Sequence, residues 1–169
     1  TGREDGTWEN GTAAYEKRGI AVNVPEWKIE NCIQCNQCAY VCPHAVIRPF
    51  LATEEEAAAS GVDWKQGLGE TKEYKFRIQI SPLDCTGCSN CVDVCPAKEK
   101  ALVMKPLESQ LPQQRNWDYI VKNIGYKQVV DKTKSVKNLQ FAQPLFEFSG
   151  ACAARLPISR LFRSCSARR

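Results

Sequence analysis

The chain has 169 residues, of which 43% are hydrophobic, and this is enough for one or two small domains with a modest core. No stretch approaches the roughly 20 consecutive apolar residues that a membrane span requires, and the N-terminus is polar with no apolar signal core. The net charge of +4 arises after residue 150, where five arginines and no acidic residue occur. We therefore expect a soluble cytoplasmic protein with neither nucleic acid nor membrane as a partner.

Residues 1–24 are rich in glycine and polar residues, and their lack of periodicity predicts an irregular linker that leans on a neighbouring segment. The chain begins at Thr1 and has a single methionine, Met104, so we interpret it as an excerpt of a longer chain. Two cysteine runs follow, CIQCNQCAYVCP from residue 32 and CTGCSNCVDVCP from residue 85. Every cysteine and the proline recur after 53 residues, which indicates an internal repeat.

Each repeat is predicted to form a strand, a cysteine loop, a short helix and a second strand, which gives an α+β domain over residues 25–106. Pro43 and Pro96 are expected to end the two helices, because proline lacks the backbone donor that a helix needs. The predicted strands cover residues 27–29, 45–50, 76–80 and 101–104, and the predicted helices cover residues 37–42 and 89–95.

Two further segments carry weaker patterns. Residues 51–73 form an insertion between the repeats, in which the run TEEEAAASG predicts a short, solvated surface helix that ends near Gly61. Residues 107–150 are rich in Lys, Gln and Asn, and they predict a tether with one short helix around residues 118–124.

The spacing C-x2-C-x2-C-x3-C-P is typical of sites that bind 4Fe-4S clusters. Three cysteines at two-residue gaps curl around one cluster, whereas the fourth points toward the companion site. The sequence therefore predicts two 4Fe-4S clusters with crossed ligation. The predicted metal ligands are Cys32, Cys35, Cys38 and Cys95 for the first cluster, and Cys85, Cys88, Cys91 and Cys42 for the second. Because these bonds would replace much of a hydrophobic core, we expect the metal-free form to be largely unfolded.

Other interpretations of the cysteines compete with this one. Zinc also takes four cysteines, but two triplets that each end in a trailing Cys-Pro are not the pattern of zinc ribbons. Disulfides would not require the repeat, and purely structural clusters remain a third reading. His44 follows Cys42 and Pro43, and since all eight ligand positions are filled, we expect it to pack near a cluster or to donate to a sulfur. No catalytic motif occurs, so no catalytic residue is predicted.

The two runs resemble the dicluster module of bacterial ferredoxins, and their surroundings narrow this resemblance. Residues 12–27 include Glu16, Lys17 and Arg18 and lead directly into the first run. Near the other end stands NLQFAQPLFEFSGAC, residues 138–152. Both segments, in this order, resemble pyruvate:ferredoxin (flavodoxin) oxidoreductase over residues 12–152.

The resemblance implies a ferredoxin-like domain that relays electrons from the oxidative decarboxylation of pyruvate to ferredoxin or flavodoxin. It implies thiamine diphosphate, Mg²⁺ and a third 4Fe-4S cluster in the remaining domains of the intact enzyme, with Cys152 as a ligand of that third cluster. The chain has Arg155 where the family has another cysteine, so we interpret residues 151–169 as a truncated or aberrant tail. The alternatives are a free-standing dicluster ferredoxin and a cluster-based sensor or scaffold.

Overall fold

The computed structural model describes residues 17–142, which form a small α+β structure. The predictions for Glu16, Cys152 and the tail lie outside these residues. The strands are β1 (Asn23–Trp27), β2 (Ile47–Ala52), β3 (Lys65–Gln66), β4 (Lys75–Ile80) and β5 (Leu102–Pro106). The α-helices are α1 (Gln37–Val41), α2 (Glu54–Ser60), α3 (Asn90–Asp93), α4 (Leu107–Gln110), α5 (Pro112–Asn123) and α6 (Val136–Leu139), with 3₁₀ turns at Gly69–Thr71 and Pro82–Asp84. Among the described helices, none combines the length and apolar character needed to cross a membrane.

The two repeats exchange their strands. β1, before the first cysteine run, pairs antiparallel with β5, after the second run, so that Asn23 lies opposite Pro106. β2 pairs with β4 in the same way, with Ile47 opposite Ile80, and β3 adds to the other side of β4. Because each sheet takes strands from both repeats, the cysteine segments that the strands flank are brought side by side, and helix α1 contacts helix α3.

Strand β2 is buried on both of its faces. Ile47 and Leu51 belong to a core that includes buried cysteines, whereas Phe50 and Ala52 pack into a second core with residues of α2 and α5. β2 lies at the edge of its sheet, where Pro49 is tolerated because an edge strand leaves backbone donors unpaired. The molecule is therefore layered, with β2 shared between the cysteine layer and a helical layer.

Helix α2 follows the prediction closely. Thr53 caps it through a reciprocal pair of hydrogen bonds, from Glu56 N to Thr53 Oγ1 (3.3 Å) and from Thr53 N to Glu56 Oε2 (2.9 Å). The helix ends at Gly61, whose φ of 64° is a conformation that favours glycine. The insertion is less solvated than expected, because Ala57 is buried and β3 extends the sheet.

Several element bounds differ from the prediction. β1 begins at Asn23 rather than residue 27, since Pro25 is accommodated in a two-stranded sheet, and α3 is shorter than the predicted 89–95. The largest difference is α5, which starts at Pro112 instead of residue 118. Its Trp117 and Ile120 are buried, so this part of the predicted tether packs onto the sheet through apolar residues three apart.

Candidate metal centre

The two cysteine loops, residues 32–38 and 85–91, have the same backbone course. Gln34 (φ 59°) and Gly87 (φ 72°) stand 53 residues apart, and both adopt the left-handed conformation. The same holds for Asn36 (φ 60°) and Ser89 (φ 64°). The internal repeat of the sequence is thus also a repeat of the backbone conformation. Each loop curls so that its three cysteines face inward.

The eight cysteines of the runs surround two cavities. The first cavity is lined by three cysteines of the first run and one of the second, namely Cys32, Cys35, Cys38 and Cys95. The second cavity is lined by Cys85, Cys88, Cys91 and Cys42. In each cavity the space outside protein atoms, including its opening to solvent, is about 330 Å³. The structure therefore groups the cysteines three plus one across the repeat.

All eight of these cysteines are free thiols. Within residues 17–142, no group of three or more His, Cys, Asp or Glu side chains is arranged to hold a single metal ion. The four thiols of each cavity line one common space. Four soft sulfur donors around one space are the ligand set that an iron–sulfur cluster requires.

Burial raises the pKa of several buried thiols in both cavities, so these are hard to ionise without metal. Loss of hydration raises the pKa of Cys91 to about 12, and the neighbouring Cys42, Cys85 and Cys88 add to this effect. Burial likewise raises the pKa of Cys38 well above its ordinary value, and Cys32, Cys91 and Cys35 contribute. Because a metal ligand must be a thiolate, binding of metal has to release protons and to supply positive charge among the sulfurs.

Backbone N–H groups are already aimed at the sulfurs. Burial raises the pKa of the Cys42 thiol, and this is opposed by hydrogen bonds from the backbone of Val46, His44 and Ile47. In the second loop the Gly87 N–H donates to Cys85 Sγ over 3.4 Å. Such donors stabilise negative charge on sulfur, so they fit a thiolate-bound cluster. His44 lines the second cavity, which agrees with the expected position beside a cluster site.

The indole of Trp27 provides a similar donor at the first cavity. Its Nε1 is buried and has no partner in ordinary hydrogen-bond geometry among residues 17–142. Burial raises the pKa of Cys32, and the strongest opposing influence is the Trp27 N–H, which lies close enough to favour the thiolate. A buried donor beside a cysteine sulfur is consistent with a cavity that holds anionic thiolates.

Comparison with known proteins identifies the cysteine region. Residues 31–99 match the model of the 4Fe-4S dicluster domain, and residues 3–21 match the EKR model, a domain of unknown function. The pyruvate-flavodoxin oxidoreductase of Enterobacter agglomerans is 53% identical over 153 residues, which are 89% of this chain and 13% of that protein. The chain is homologous to a segment of these oxidoreductases.

Other relatives extend the same relationship. The pyruvate:ferredoxin oxidoreductase of Moorella thermoacetica is 54% identical over 153 residues, 88% of this chain and 13% of its own length. The mitochondrial pyruvate dehydrogenase [NADP(+)] of Euglena gracilis is 45% identical over 150 residues, 87% of this chain and 8% of its own. The chain thus spans about an eighth or less of the length of these relatives, and its central part is a 4Fe-4S dicluster domain.

Two lysines bind the backbone around the first cavity of the dicluster domain, and the sequence did not point to either. Lys65 Nζ donates to the carbonyl oxygens of Cys32 (2.9 Å) and of the two residues Ile29 and Glu30 (3.1 Å each). Lys100 Nζ donates to Cys95 O over 2.8 Å. Their partners are backbone carbonyls, and every residue has one. The spacing of the cysteines therefore gives no indication of these contacts.

The segment before β1 packs against the second loop of the dicluster domain. Lys17 forms an ion pair with Asp84, and the Gly19 N–H donates to Leu83 O over 2.9 Å. Ala21 lies against Gly87, where an added Cβ would stand 3.3 Å from the Ala21 Cβ. Residues from Lys17 onward therefore pack against residues 83–87, which include Cys85 of the second cavity.

Proposed function

We propose that the chain relays single electrons through two 4Fe-4S clusters within a pyruvate:flavodoxin or pyruvate:ferredoxin oxidoreductase. The electrons come from the oxidative decarboxylation of pyruvate, and they leave to flavodoxin or ferredoxin. The observation that carries the proposal is the grouping of eight cysteines around two cavities inside a 4Fe-4S dicluster domain. Thiamine diphosphate, Mg²⁺ and a third cluster belong to other parts of the intact enzyme, with Cys152 as a ligand of that cluster.

In this proposal the cysteines of the first cavity hold one cluster, and those of the second cavity hold the other. Bound clusters supply one-electron redox chemistry, which this chain's side chains do not provide. The chain fixes the thiolates, directs N–H donors at them and limits the access of water. Cys91 and Cys85 are buried, whereas Cys88 is exposed. Within the described residues, the second cavity is therefore closer to solvent at Cys88 than at its two buried cysteines.

The relationship with oxidoreductases favours this role over that of a free-standing dicluster ferredoxin. The dicluster model covers residues 31–99, but the identity to the Enterobacter agglomerans protein extends over 89% of the chain. A free carrier would need only the cluster-binding part. We propose the cytoplasm as the location, because a reducing compartment keeps the thiol ligands from forming disulfides.

The first experiment tests the clusters. The full chain is reconstituted anaerobically with iron and sulfide, its iron and sulfide are counted, and the dithionite-reduced form is examined by EPR. We expect eight irons, eight sulfides and the signals of two interacting clusters. Four irons, or a reconstituted protein that dithionite does not reduce, would contradict the proposal. Mixing the reduced chain with oxidised flavodoxin or ferredoxin then tests the electron transfer, which should be visible as reduction of the acceptor.

A pair of substitutions tests the crossed ligation. Cys95→Ser should perturb the EPR signal of the cluster held by Cys32, Cys35 and Cys38, whereas Cys42→Ser should perturb the other. Reference spectra come from Cys35→Ser and Cys88→Ser, whose places in the first and second loops do not depend on the crossing. If Cys95→Ser instead reproduces the spectrum of Cys88→Ser, each run holds its own cluster and the crossing is wrong.

A further inference from the structure

Lys65, in strand β3 of the insertion, reaches across to the first cysteine loop. Its ammonium lies 2.9 Å from Cys32 O and 3.1 Å from both Ile29 O and Glu30 O. An ammonium has three N–H donors, so these three carbonyls use them all. The side chain therefore fixes the backbone on which Cys32 stands.

The ammonium of Lys65 lies among backbone carbonyl oxygens. The side chain is half-buried, and no carboxylate among residues 17–142 forms an ion pair with it. A second cation lies near Trp27, which lines the first cavity: the buried Arg77 guanidinium stands 5.5 Å from the centre of its ring. Burial lowers the pKa of Arg77 to about 10, so this group is still charged at neutral pH.

The insertion holds the loop at a second point. Gln34, a fully buried residue in the left-handed conformation, donates from Nε2 to Gln66 O over 2.7 Å and accepts from Leu68 N at Oε1 over 3.1 Å. Lys65 and Gln34 thus tie both sides of the first loop to residues 65–68. In the second loop the position of Gln34 is taken by Gly87, and no described lysine donates to a backbone carbonyl of residues 82–91.

We propose that Lys65 is a positioning residue of the first cavity, which fixes the course of the first cysteine loop and raises the reduction potential of the cluster held there. The inference rests on the proposed function, in which that cavity holds a cluster. Reduction adds an electron to an already anionic site, and a cation nearby stabilises the reduced state more than the oxidised state. The insertion would then set the potential of one cluster without supplying any ligand.

The experiment is a potentiometric titration of the reconstituted full chain, followed by EPR. Lys65→Met removes the charge and the donors but keeps most of the unbranched side chain. The matched control is Lys127→Met, which removes the same charge from an ion pair with Glu56 on helix α2. Cys35→Ser identifies which signal belongs to the first cavity.

We expect Lys65→Met to reduce the equilibrium constant for reduction of the first-cavity cluster by about tenfold, which is 59 mV for one electron. The second-cavity cluster should keep its potential, and Lys127→Met should change neither. A wild-type potential at the first cavity of Lys65→Met, or an equal shift in the control, would overturn the proposal. Either result leaves the two-cluster assignment intact, since that assignment depends on the iron count of the unsubstituted chain.

Lys65→Gln provides a second variant, because its uncharged amide keeps N–H donors for the carbonyls. If Lys65→Met loses its first cluster on reconstitution, the potential is read from Lys65→Gln, which should show the same downward shift. Loss of four irons from both variants, with the second-cavity signal intact, also supports the proposal, since it places the effect on the loop that Lys65 holds. Loss of both clusters, or a first-cavity potential in Lys65→Gln equal to that of the unsubstituted chain, contradicts it.

Discussion

At the scale of single residues, the two loops adopt the same left-handed backbone conformation at positions that carry different side chains. The left-handed conformation costs an ordinary residue roughly 1–2 kcal/mol relative to glycine. Gly87 avoids this cost, whereas Gln34 offsets it with two hydrogen bonds to the insertion. The two loops therefore share a backbone conformation but are stabilised differently. The conformation of Gln34 depends on hydrogen bonds to residues more than 30 positions away.

Gly87 is the position where this difference can be measured. A Cβ there would lie 3.0 Å from Asn23 O, which is backbone, and 3.3 Å from the Ala21 Cβ. We expect Gly87→Ala to destabilise the holo-protein by about 2–3 kcal/mol, through conformational strain together with displacement of β1. Thermal unfolding and the rate of iron loss to a chelator report this effect.

Gly61 provides the control for Gly87. It has a similar φ of 64°, but an added Cβ would meet no atom within 4 Å. Gly61→Ala should therefore cost only the conformational strain, about 1 kcal/mol, and should leave iron loss unchanged. Equal destabilisation by the two substitutions would show that the contact with Asn23 has no energetic importance.

The cysteines were the residues best predicted from sequence, because their grouping depends on local spacing and on one helical turn. The structure brings together the same sets of four that the spacing predicted, although ligation itself stays a prediction. Lys65 and Trp27 were not foreseen as neighbours of a cavity. Their positions depend on how β3 and β1 dock against the first loop, and no short-range pattern encodes that docking.

At the scale of elements, β2 is a strand that the sequence predicted, but its packing on two sides was not predicted. A strand was expected over residues 45–50, and β2 is observed at Ile47–Ala52, but the sequence did not show that both of its faces are buried. Its second face is covered by α5. The apolar residues of α5 are interspersed with many polar residues, and they were predicted to belong to a tether. The helical layer therefore went unrecognised, although Trp117, Ile120 and Ile124 have helical spacing.

Helix α5 is expected to contribute directly to stability. Trp117 is 4% exposed, its ring meets Phe50 edge-on at 6.4 Å, and the Arg48 guanidinium lies 5.2 Å from its centre. Trp117→Ala should cost about 3–5 kcal/mol, since it removes a large buried aromatic side chain. Denaturant unfolding of the holo-protein measures this loss.

Val121, on the same helix, is 44% exposed and serves as the comparison. Val121→Ala should change the free energy of unfolding by less than about 0.5 kcal/mol. A small effect for both substitutions would support the interpretation of residues 107–150 as a tether that contributes little to the stability of the fold.

At the scale of the whole molecule, the cysteine layer and the helical layer share β2. The larger core includes Cys32, Cys85 and Cys91, so its packing depends on what the cavities hold. The smaller core contains no cysteine, but Phe50 and Ala52 of β2 form part of it. Loss of order in the cysteine layer should therefore reach α2 and α5 through one strand.

Removal of iron tests this coupling. After chelation, hydrogen exchange of backbone amides should accelerate in β2 and β4 and, together with them, in α5, because the smaller core is too small to persist alone. The control is the same chain kept anaerobic without chelator. If α5 stays protected while β2 and β4 exchange, the helical layer is an independent unit, and the expectation of a largely unfolded metal-free chain is wrong.

The crossing of the cysteines between cavities also bears on the order of events during synthesis. The first cavity needs Cys95, and the second cavity needs Cys91, which leave the ribosome only four residues apart. Under the proposed ligation, a nascent chain that has exposed the whole first run cannot yet complete any cluster. Both sites become competent at almost the same moment of translation, so delivery of iron and sulfide to this domain is a single late event for the growing chain.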